Sequence, residues 1–382
     1  MTDKAKVHFA VYGAGLGHAA RMSLVARRLP QCIEPYFTSW EEGREYVARK
    51  GFRVFDVAAV DVKWNEKGRM AFKGTARSLP RLYSGLALQI RQERAIMRAM
   101  RPALVVSDSR MSAVIAARSL RIPCVLVTNQ LRVNLPSVDG QMMRLLERAN
   151  GEFLASFWNL SDAVVVPDLP PPYTISEDVL DTLRVTRRRL RYVGFMREAD
   201  GAPDAAREGG RKRVALLISG PPASRASILP LVAEAAKTLS RRYDVVLSKG
   251  NAGAPQGEER DGGLTVYEWN PDPQGEMRRA DLVVARAGHS TISQIIEAAR
   301  PALLMPIPFH GEQWANAEKC AKLGFAKVLD QTTGSPSELV RLAEEALSDP
   351  GMKEKVARMR DVARAHHGIE SLVRLIVKDV RK

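Results

Sequence analysis

Two stretches of this sequence carry side chains and glycines at spacings that suit phosphate and sugar chemistry. The first is Gly13-Ala-Gly15-Leu-Gly17-His18, set between an apolar strand pattern and a helical one. Glycines in such a turn admit positive φ and let the backbone approach a ligand closely. His18, at the helix start, can take a proton near neutral pH, although a helix cap or a core hydrogen bond is its ordinary alternative. The dinucleotide fingerprint GxGxxG needs a glycine where His18 stands, so a nicotinamide enzyme fits poorly even with Glu34 available for a ribose. Asp108, after the apolar run Ala103 to Ser107, is the second candidate base, or else a cap for the following helix.

The second stretch runs from Asp281 to Gln294. It reads as a buried strand ending in Arg286-Ala-Gly288, then a helix whose first turn presents the amides of His289, Ser290 and Thr291. Uncapped amides, a helix dipole of about half a charge and a nearby guanidinium make a diphosphate site. Beyond the next strand, a proline-rich loop carries His310, Glu312 and Gln313, polar side chains that suit sugar hydroxyls. A further glycine loop, Leu217-Ile-Ser219-Gly220-Pro-Pro-Ala-Ser-Arg225, follows the first strand pattern of this half, with a plain turn as its ordinary alternative.

These loops need rigid elements to hold them. Short β-rich apolar runs alternate with longer amphipathic segments twice over, the pattern of parallel sheets flanked by helices. Strands are expected at Lys6 to Tyr12, Ile33 to Thr38, Phe52 to Val57, Ala103 to Ser107, Cys124 to Thr128 and Ala163 to Val166. The second half repeats the design at Arg213 to Ser219, Asp244 to Ser248, Leu264 to Trp269, Leu282 to Ala285, Ala302 to Pro306 and Ala326 to Leu329. Helices are expected at Ser227 to Ser240, Thr291 to Ala299, Glu312 to Leu323 and Ser337 to Leu347. The breaker-rich PPPY at 170 to 173 and the charged stretch at 201 to 213 place a hinge near Val193 to Asp200. The expected division is an N-terminal domain over 1–195, a C-terminal domain over 196–365, and a helical tail over 366–382 that packs back across the hinge.

Composition narrows the function classes. With 382 residues, 45% hydrophobic and 26% charged, the chain can build two cores without staples. Cys32, Cys124 and Cys320 are far apart and outside any CxxC spacing, so neither a disulfide framework nor a zinc site is expected. The start runs directly into a strand and glycine loop without a signal-peptide pattern, and no apolar run approaches membrane-spanning length. A cytoplasmic protein is expected. The net charge of +15 favours anionic partners. Nucleic acid is not expected, since no zinc-finger spacing, RNP-like strand or helix-turn-helix pattern accompanies the basic residues. The basic segment Arg77 to Arg101, with Leu79, Leu82, Leu86, Ile90 and Met97 near helical spacing, reads either as a core-facing helix with a charged outer face or as a peripheral contact with anionic membrane at the inner face of the cell. The run Arg184, Arg187, Arg188, Arg189 and Arg191 poses the same choice.

The stretch 264 to 330, with RxGxxTxx and QxxNA, together with the loop at 12 to 21, resembles the bacterial peptidoglycan N-acetylglucosaminyltransferase family and its archaeal relatives with a GxGLGHxxR start. The resemblance implies a GT-B fold: α/β, two Rossmann-like doubly wound parallel-sheet domains facing a cleft. Carried over by position, it puts diphosphate contacts on His289, Ser290 and Thr291, sugar-hydroxyl contacts on Glu312 and Gln313, and Trp269 near a uracil pocket, where it could equally be a plain strand-end aromatic. The Ser219, Gly220 and Arg225 loop resembles the family's phosphate loop. The family's ribose-binding glutamate falls on Gln294, an amide that accepts more weakly than a carboxylate; Glu297, three residues on, could substitute.

The resemblance implies an inverting, metal-independent transfer of a hexose or N-acetylhexosamine from a UDP-sugar to an acceptor hydroxyl. The UDP-sugar is a co-substrate and no cofactor is expected. Arg286 or Arg225 would neutralise the leaving diphosphate, His18 or Asp108 would take the acceptor proton, and the loop with Gly13, Gly15 and Gly17 would face an acceptor, lipid-linked or otherwise. A UDP-sugar epimerase and a non-catalytic sugar-nucleotide-binding subunit are the competing readings.

Overall fold

A computed structural model describes residues 4–14, 16–60, 72–131, 149, 152–153, 156–180, 189–197, 210–251, 254 and 257–381. Fourteen strands fall into two seven-stranded sheets. The first holds β1 (Ala5–Val11), β2 (Ile33–Ser39), β3 (Val54–Asp56), β4 (Leu104–Asp108), β5 (Cys124–Val127), β6 (Ala163–Val166) and β7 (Leu190–Tyr192) in the order 3-2-1-4-5-6-7. The second holds β8 (Arg213–Leu217), β9 (Asp244–Ser248), β10 (Glu258–Asp261), β11 (Leu264–Tyr267), β12 (Leu282–Ala285), β13 (Ala302–Leu304) and β14 (Ala326–Val328) in the order 10-11-9-8-12-13-14. All pairings are parallel except β10 with β11. The expected doubly wound α/β architecture is therefore present in both halves.

The strands form where they do because a parallel sheet covered on both faces must be apolar throughout. β5, β6 and β12 are CVLV, AVVV and LVVA, buried at every position. Both sheets reverse direction of winding at one place, between β1 and β4 in the first and between β8 and β12 in the second. Connections leave such neighbouring strands toward opposite faces, which opens a crevice at their C-terminal ends. All the glycine loops read from the sequence start at those ends.

Segments of each half pack on the other. Leu169, Ile175 and Phe195 join the core of the second sheet, with Val283, Ile292 and Phe325. The last helix, Gly368–Val380, returns to the first half, where Ile369, Leu372 and Ile376 pack with Val7, Phe9 and Met22. In the helix Phe72–Met100 the buried positions Gln89, Glu93, Met97 and Met100 recur every three or four residues, so this part faces the protein. Of the arginine run, Arg184, Arg187 and Arg188 lie outside the described residues. No helix among the described residues is long and apolar enough to cross a membrane.

Beneath that helix the first sheet contains a buried polar group of residues. His8, in the middle of β1, stacks on Tyr36 with ring centroids 4.7 Å apart. Its Nε2 lies 2.9 Å from the Thr38 hydroxyl and 3.4 Å from Glu93 Oε2. Glu93 also accepts from Thr38 at 2.8 Å and pairs with Arg110. Burial pushes the His8 imidazole down to about 4, against the pull of Glu93.

Candidate active site

The first crevice brings together three side chains from separate elements. His18 stands in the first turn of the helix Leu16–Arg27, and Asp108 ends β4. His18 Nδ1 lies 2.9 Å from Asp108 Oδ1. Arg21, one turn further along the same helix, grips the carboxylate with both edges of its fork, Nε to Oδ2 at 2.6 Å and Nη2 to Oδ1 at 2.5 Å. Burial alone would raise the Asp108 carboxyl, but Arg21 and His18 outweigh it and hold the group far below the usual carboxylate range.

This arrangement corrects one expectation. Asp108 is fully buried and both its oxygens are occupied, so it cannot itself reach an acceptor hydroxyl. It does not cap the following helix either: the cap position of Met111–Ser119 is Arg110, which makes no side-chain cap bond. An ionised carboxylate only accepts, so a proton on Nδ1 would point to it and leave Nε2 as the basic nitrogen; Arg21 Nη2 stands 3.1 Å from the same Nδ1. His18, with a side chain about a quarter exposed at 27%, is the group that can meet a substrate. Arg21 was not singled out among the sequence candidates; its spacing of three from His18, which places both on one helix face, was the available signal.

The glycines of the loop are required by contact. A Cβ on Gly13 would sit 2.5 Å from the Trp40 carbonyl oxygen, so only glycine lets the strand end pass there. Gly17 faces the other half, where a Cβ would lie 3.4 Å from the Ser290 hydroxyl. Gly15 lies outside the described residues.

Across the cleft, the helix His289–Ala298 begins at Gly288, in extended conformation and without a side-chain cap. Its first amides are therefore not covered by a capping oxygen, as an anion site requires. Ser290 is exposed at this end, while Thr291 is half-buried. The His289 side chain turns away: its Nε2 lies 3.1 Å from Asp168 Oδ2, out of line for a hydrogen bond, and its ring meets Phe195 edge-on at 5.7 Å. Its contribution to an anion would come from the backbone. A cavity of about 330 Å³ opens beside this helix end, lined among others by Leu16, Gly17, Arg21, Arg197, Gln274, Ser290 and Gln294. Gln294 thus faces the cleft as expected of a ribose contact, whereas Glu297 is taken by an ion pair with Arg197.

Arg286 requires a second correction. It is 1% exposed and donates to the carbonyls of Met305 and Ser224 at 3.0 and 2.9 Å and to Gln331 at 2.5 Å. Burial pushes its guanidinium down to about 10. It ties the end of β13, the helix Pro222–Leu239 and Gln331 together beneath the crevice, and its remaining nitrogen, Nε, is buried without a partner and closed to a diphosphate in the cleft. Arg225 remains at the surface, holding the Gly220 carbonyl at 2.7 Å and Asn251 at 3.2 Å; Ser219 and Gly220 beside it are exposed. Gly220 itself has φ of 113°, which favours glycine. Trp269, just past β11, is 39% exposed and does not line the cavity.

In the last loop of the site, Gln313 is buried, with its carbonyl oxygen taking the Ile307 amide at 3.0 Å. Asn316 donates to Ala287 at 3.2 Å, so QxxNA first of all fastens this loop to the strand-end before the anion site. Glu312 accepts from Asn129 of the first half at 3.3 Å. Burial lowers the neighbouring His310, with Glu312 pulling it back up. Among the described residues no group of three His, Cys, Asp or Glu side chains gathers as a metal site.

Two sheets facing a crevice, each with its loops at the switch point, define the GT-B fold. Residues 224–372 match the glycosyltransferase family 28 C-terminal domain, and residues 5–156 match glycosyl transferase family 1. Along 99% of both chains the protein is 23% identical to an uncharacterized glycosyltransferase of Methanosarcina acetivorans. A stretch of 131 residues, 34% of this chain and 35% of the other, is 32% identical to the UDP-N-acetylglucosamine--N-acetylmuramyl-(pentapeptide) pyrophosphoryl-undecaprenol N-acetylglucosamine transferase of Acidiphilium cryptum. The solved structure of MurG from Acinetobacter baumannii superposes with a TM-score of 0.67 at 18% identity, covering 98% of this chain and 99% of that one. The particular resemblance within the GT-B class is thus to the peptidoglycan N-acetylglucosaminyltransferases and to archaeal glycosyltransferases.

Proposed function

We propose that the protein transfers a hexose or N-acetylhexosamine from a UDP-sugar to an acceptor hydroxyl, with inversion and without a metal ion. One observation carries this reading: the uncapped start of the His289–Ala298 helix stands across a narrow cleft from the His18–Asp108 pair, with Ser290 beside Gly17. A donor diphosphate on those amides would place its sugar toward Glu312 and Gln313 and within reach of a base from the other half. His18 Nε2 would take the acceptor proton as the acceptor oxygen bonds to the anomeric carbon. The bond from that carbon to the β-phosphate oxygen breaks, and its electron pair leaves with UDP. Amide hydrogens and the helix dipole meet the growing charge, a role open to Arg225 as well, so no cation is needed in this scheme. UDP is favoured over other nucleotides by the resemblance; the 32% identical relative is named for a UDP-linked donor.

The acceptor side of the reading is broader. The net positive charge and the basic segment fit a lipid-linked acceptor met at an anionic membrane surface, with the protein peripheral and cytoplasmic.

The test is a thermal-shift and hydrolysis panel of UDP-, dTDP- and GDP-sugars on the native protein and on Thr291→Ala and Gln294→Ala. UDP-sugars alone should raise the melting temperature, and both variants should lose most of that shift. A native protein indifferent to every UDP-sugar sinks the donor assignment, and a new UDP-sugar formed without acceptor points to epimerisation instead.

A further inference from the structure

Arg21 lines the cleft with Gly17 and Ser290 and meets both members of the His18–Asp108 pair. It spends two nitrogens of its fork on Asp108, and its Nη2 comes within 3.1 Å of His18 Nδ1. It is a cation next to a histidine that must be neutral to act as a base. A carboxylate alone beside an imidazole favours the charged imidazolium, which cannot take a proton. Here Asp108 Oδ1 lies 2.9 Å and Arg21 Nη2 3.1 Å from the same Nδ1, so the imidazole faces a paired carboxylate and not a lone one. Arg21 Nη2 is also in hydrogen-bonding range of that same Nδ1, which would need the other tautomer; the ionised carboxylate, which can only accept, is the partner we take for the Nδ1 proton.

We infer that Arg21 is a positioning residue for the transfer: by holding the Asp108 carboxylate in its fork it fixes the group that orients the His18 ring, with the ring proton on Nδ1 and Nε2 left for the acceptor proton. The inference rests on the proposed transfer for its catalytic meaning, but its physical content concerns the ligand-free protein. Tyr12, from the end of β1, meets the imidazole edge-on at 5.6 Å, and the second half presents the uncharged Ser290 hydroxyl beside Gly17. A lysine at position 21 would supply the charge but not the two parallel bonds that orient the carboxylate.

Imidazole ¹⁵N spectra of the ligand-free protein test this, with His18 assigned among the six histidines by the signal missing in His18→Gln. The native spectrum should show the Nδ1–H form, and an Nε2–H form overturns the inference without any variant. In Arg21→Gln the carboxylate is no longer held in a fork, and the spectrum should show a mixture of the Nδ1–H and Nε2–H forms. A Gln variant still wholly in the Nδ1–H form also overturns it. In Arg21→Lys transfer kcat should fall at least ~10-fold at unchanged donor KM, the pattern of an interaction used only in the transition state. A Lys variant with native kcat overturns the positioning role even where the Gln variant fails to fold. Absence of donor turnover by the native enzyme would sink the transfer reading and leave the ¹⁵N results standing.

Discussion

His289 and Asp168 meet across the two halves, Nε2 to Oδ2 at 3.1 Å, directly behind the helix end that the donor diphosphate is proposed to occupy. Asp168 follows β6 of the first sheet, and its carboxylate also takes the Ser176 amide at 2.8 Å, the Ser176 hydroxyl at 2.6 Å and the Leu169 amide at 2.7 Å. It therefore fixes the segment that enters the core of the second sheet and joins that segment to the anion site. Burial by itself raises this carboxyl, yet His289 and the Ser176 bonds outweigh it and lower it.

Removing that carboxylate should cost both stability and geometry. Asp168→Ala leaves buried amides unpaired, and about 3 to 5 kcal/mol of stability should go with it. Urea unfolding measures the loss. Since a depressed folded-state carboxyl contributes stability above its unfolded value and loses it as pH falls, the native protein should exceed the variant by less under acid conditions than at neutral pH.

Gly288 allows a prediction in which stability and binding part company. A Cβ there would meet only Thr291 Oγ1 at 3.8 Å, an ordinary contact, so serine fits. Gly288→Ser places a hydroxyl where it can cap the first-turn amides, and replacing glycine at a cap changes stability by only a few tenths of a kcal/mol. The melting temperature should hardly move, while affinity for UDP, followed by calorimetry, should fall at least ~10-fold because the amides are already satisfied. Unchanged UDP affinity would show that the diphosphate sits elsewhere.

His8 should make the protein acid-sensitive. A histidine near 4 in the folded state and 6.5 when unfolded binds its proton mainly in the unfolded chain. Stability from this group is complete above the unfolded value and drains as pH falls toward the folded one, by about 2 kcal/mol at pH 5. Urea midpoints at pH 7.5 and 5 measure it, and in His8→Asn that part of the pH dependence should vanish. An equal drop in both proteins would assign it to the carboxylates instead.

Much of this was legible in the linear chain. The inner strands were, because a strand covered on both faces must be apolar at every position, and runs such as AVVV and LVVA have no other use. β10 was not, since EERD is exposed throughout and pairs only as an antiparallel edge, and β7 is three residues of LRY at the opposite kind of margin. The helix at Pro222–Leu239 starts five residues before its expected Ser227, at a proline that suits a first helical position.

The sequence by itself determined the two alternating α/β halves, the glycine loops and the bare amides after Gly288, because these depend on neighbours along the chain. Only the tertiary structure decided which polar groups remain available. Arg286 looks free in the sequence and is buried among carbonyls; Asp108 looks like a base and is held by Arg21; Glu297 looks like a spare ribose ligand and is paired with Arg197. Each of those outcomes depends on a partner brought close by the sheet order or by packing between the halves, from 87 positions away in the case of Arg21 and Asp108. Residue type fixes what a side chain can donate or accept, but burial and the partner it meets fix whether that capacity is left for a ligand.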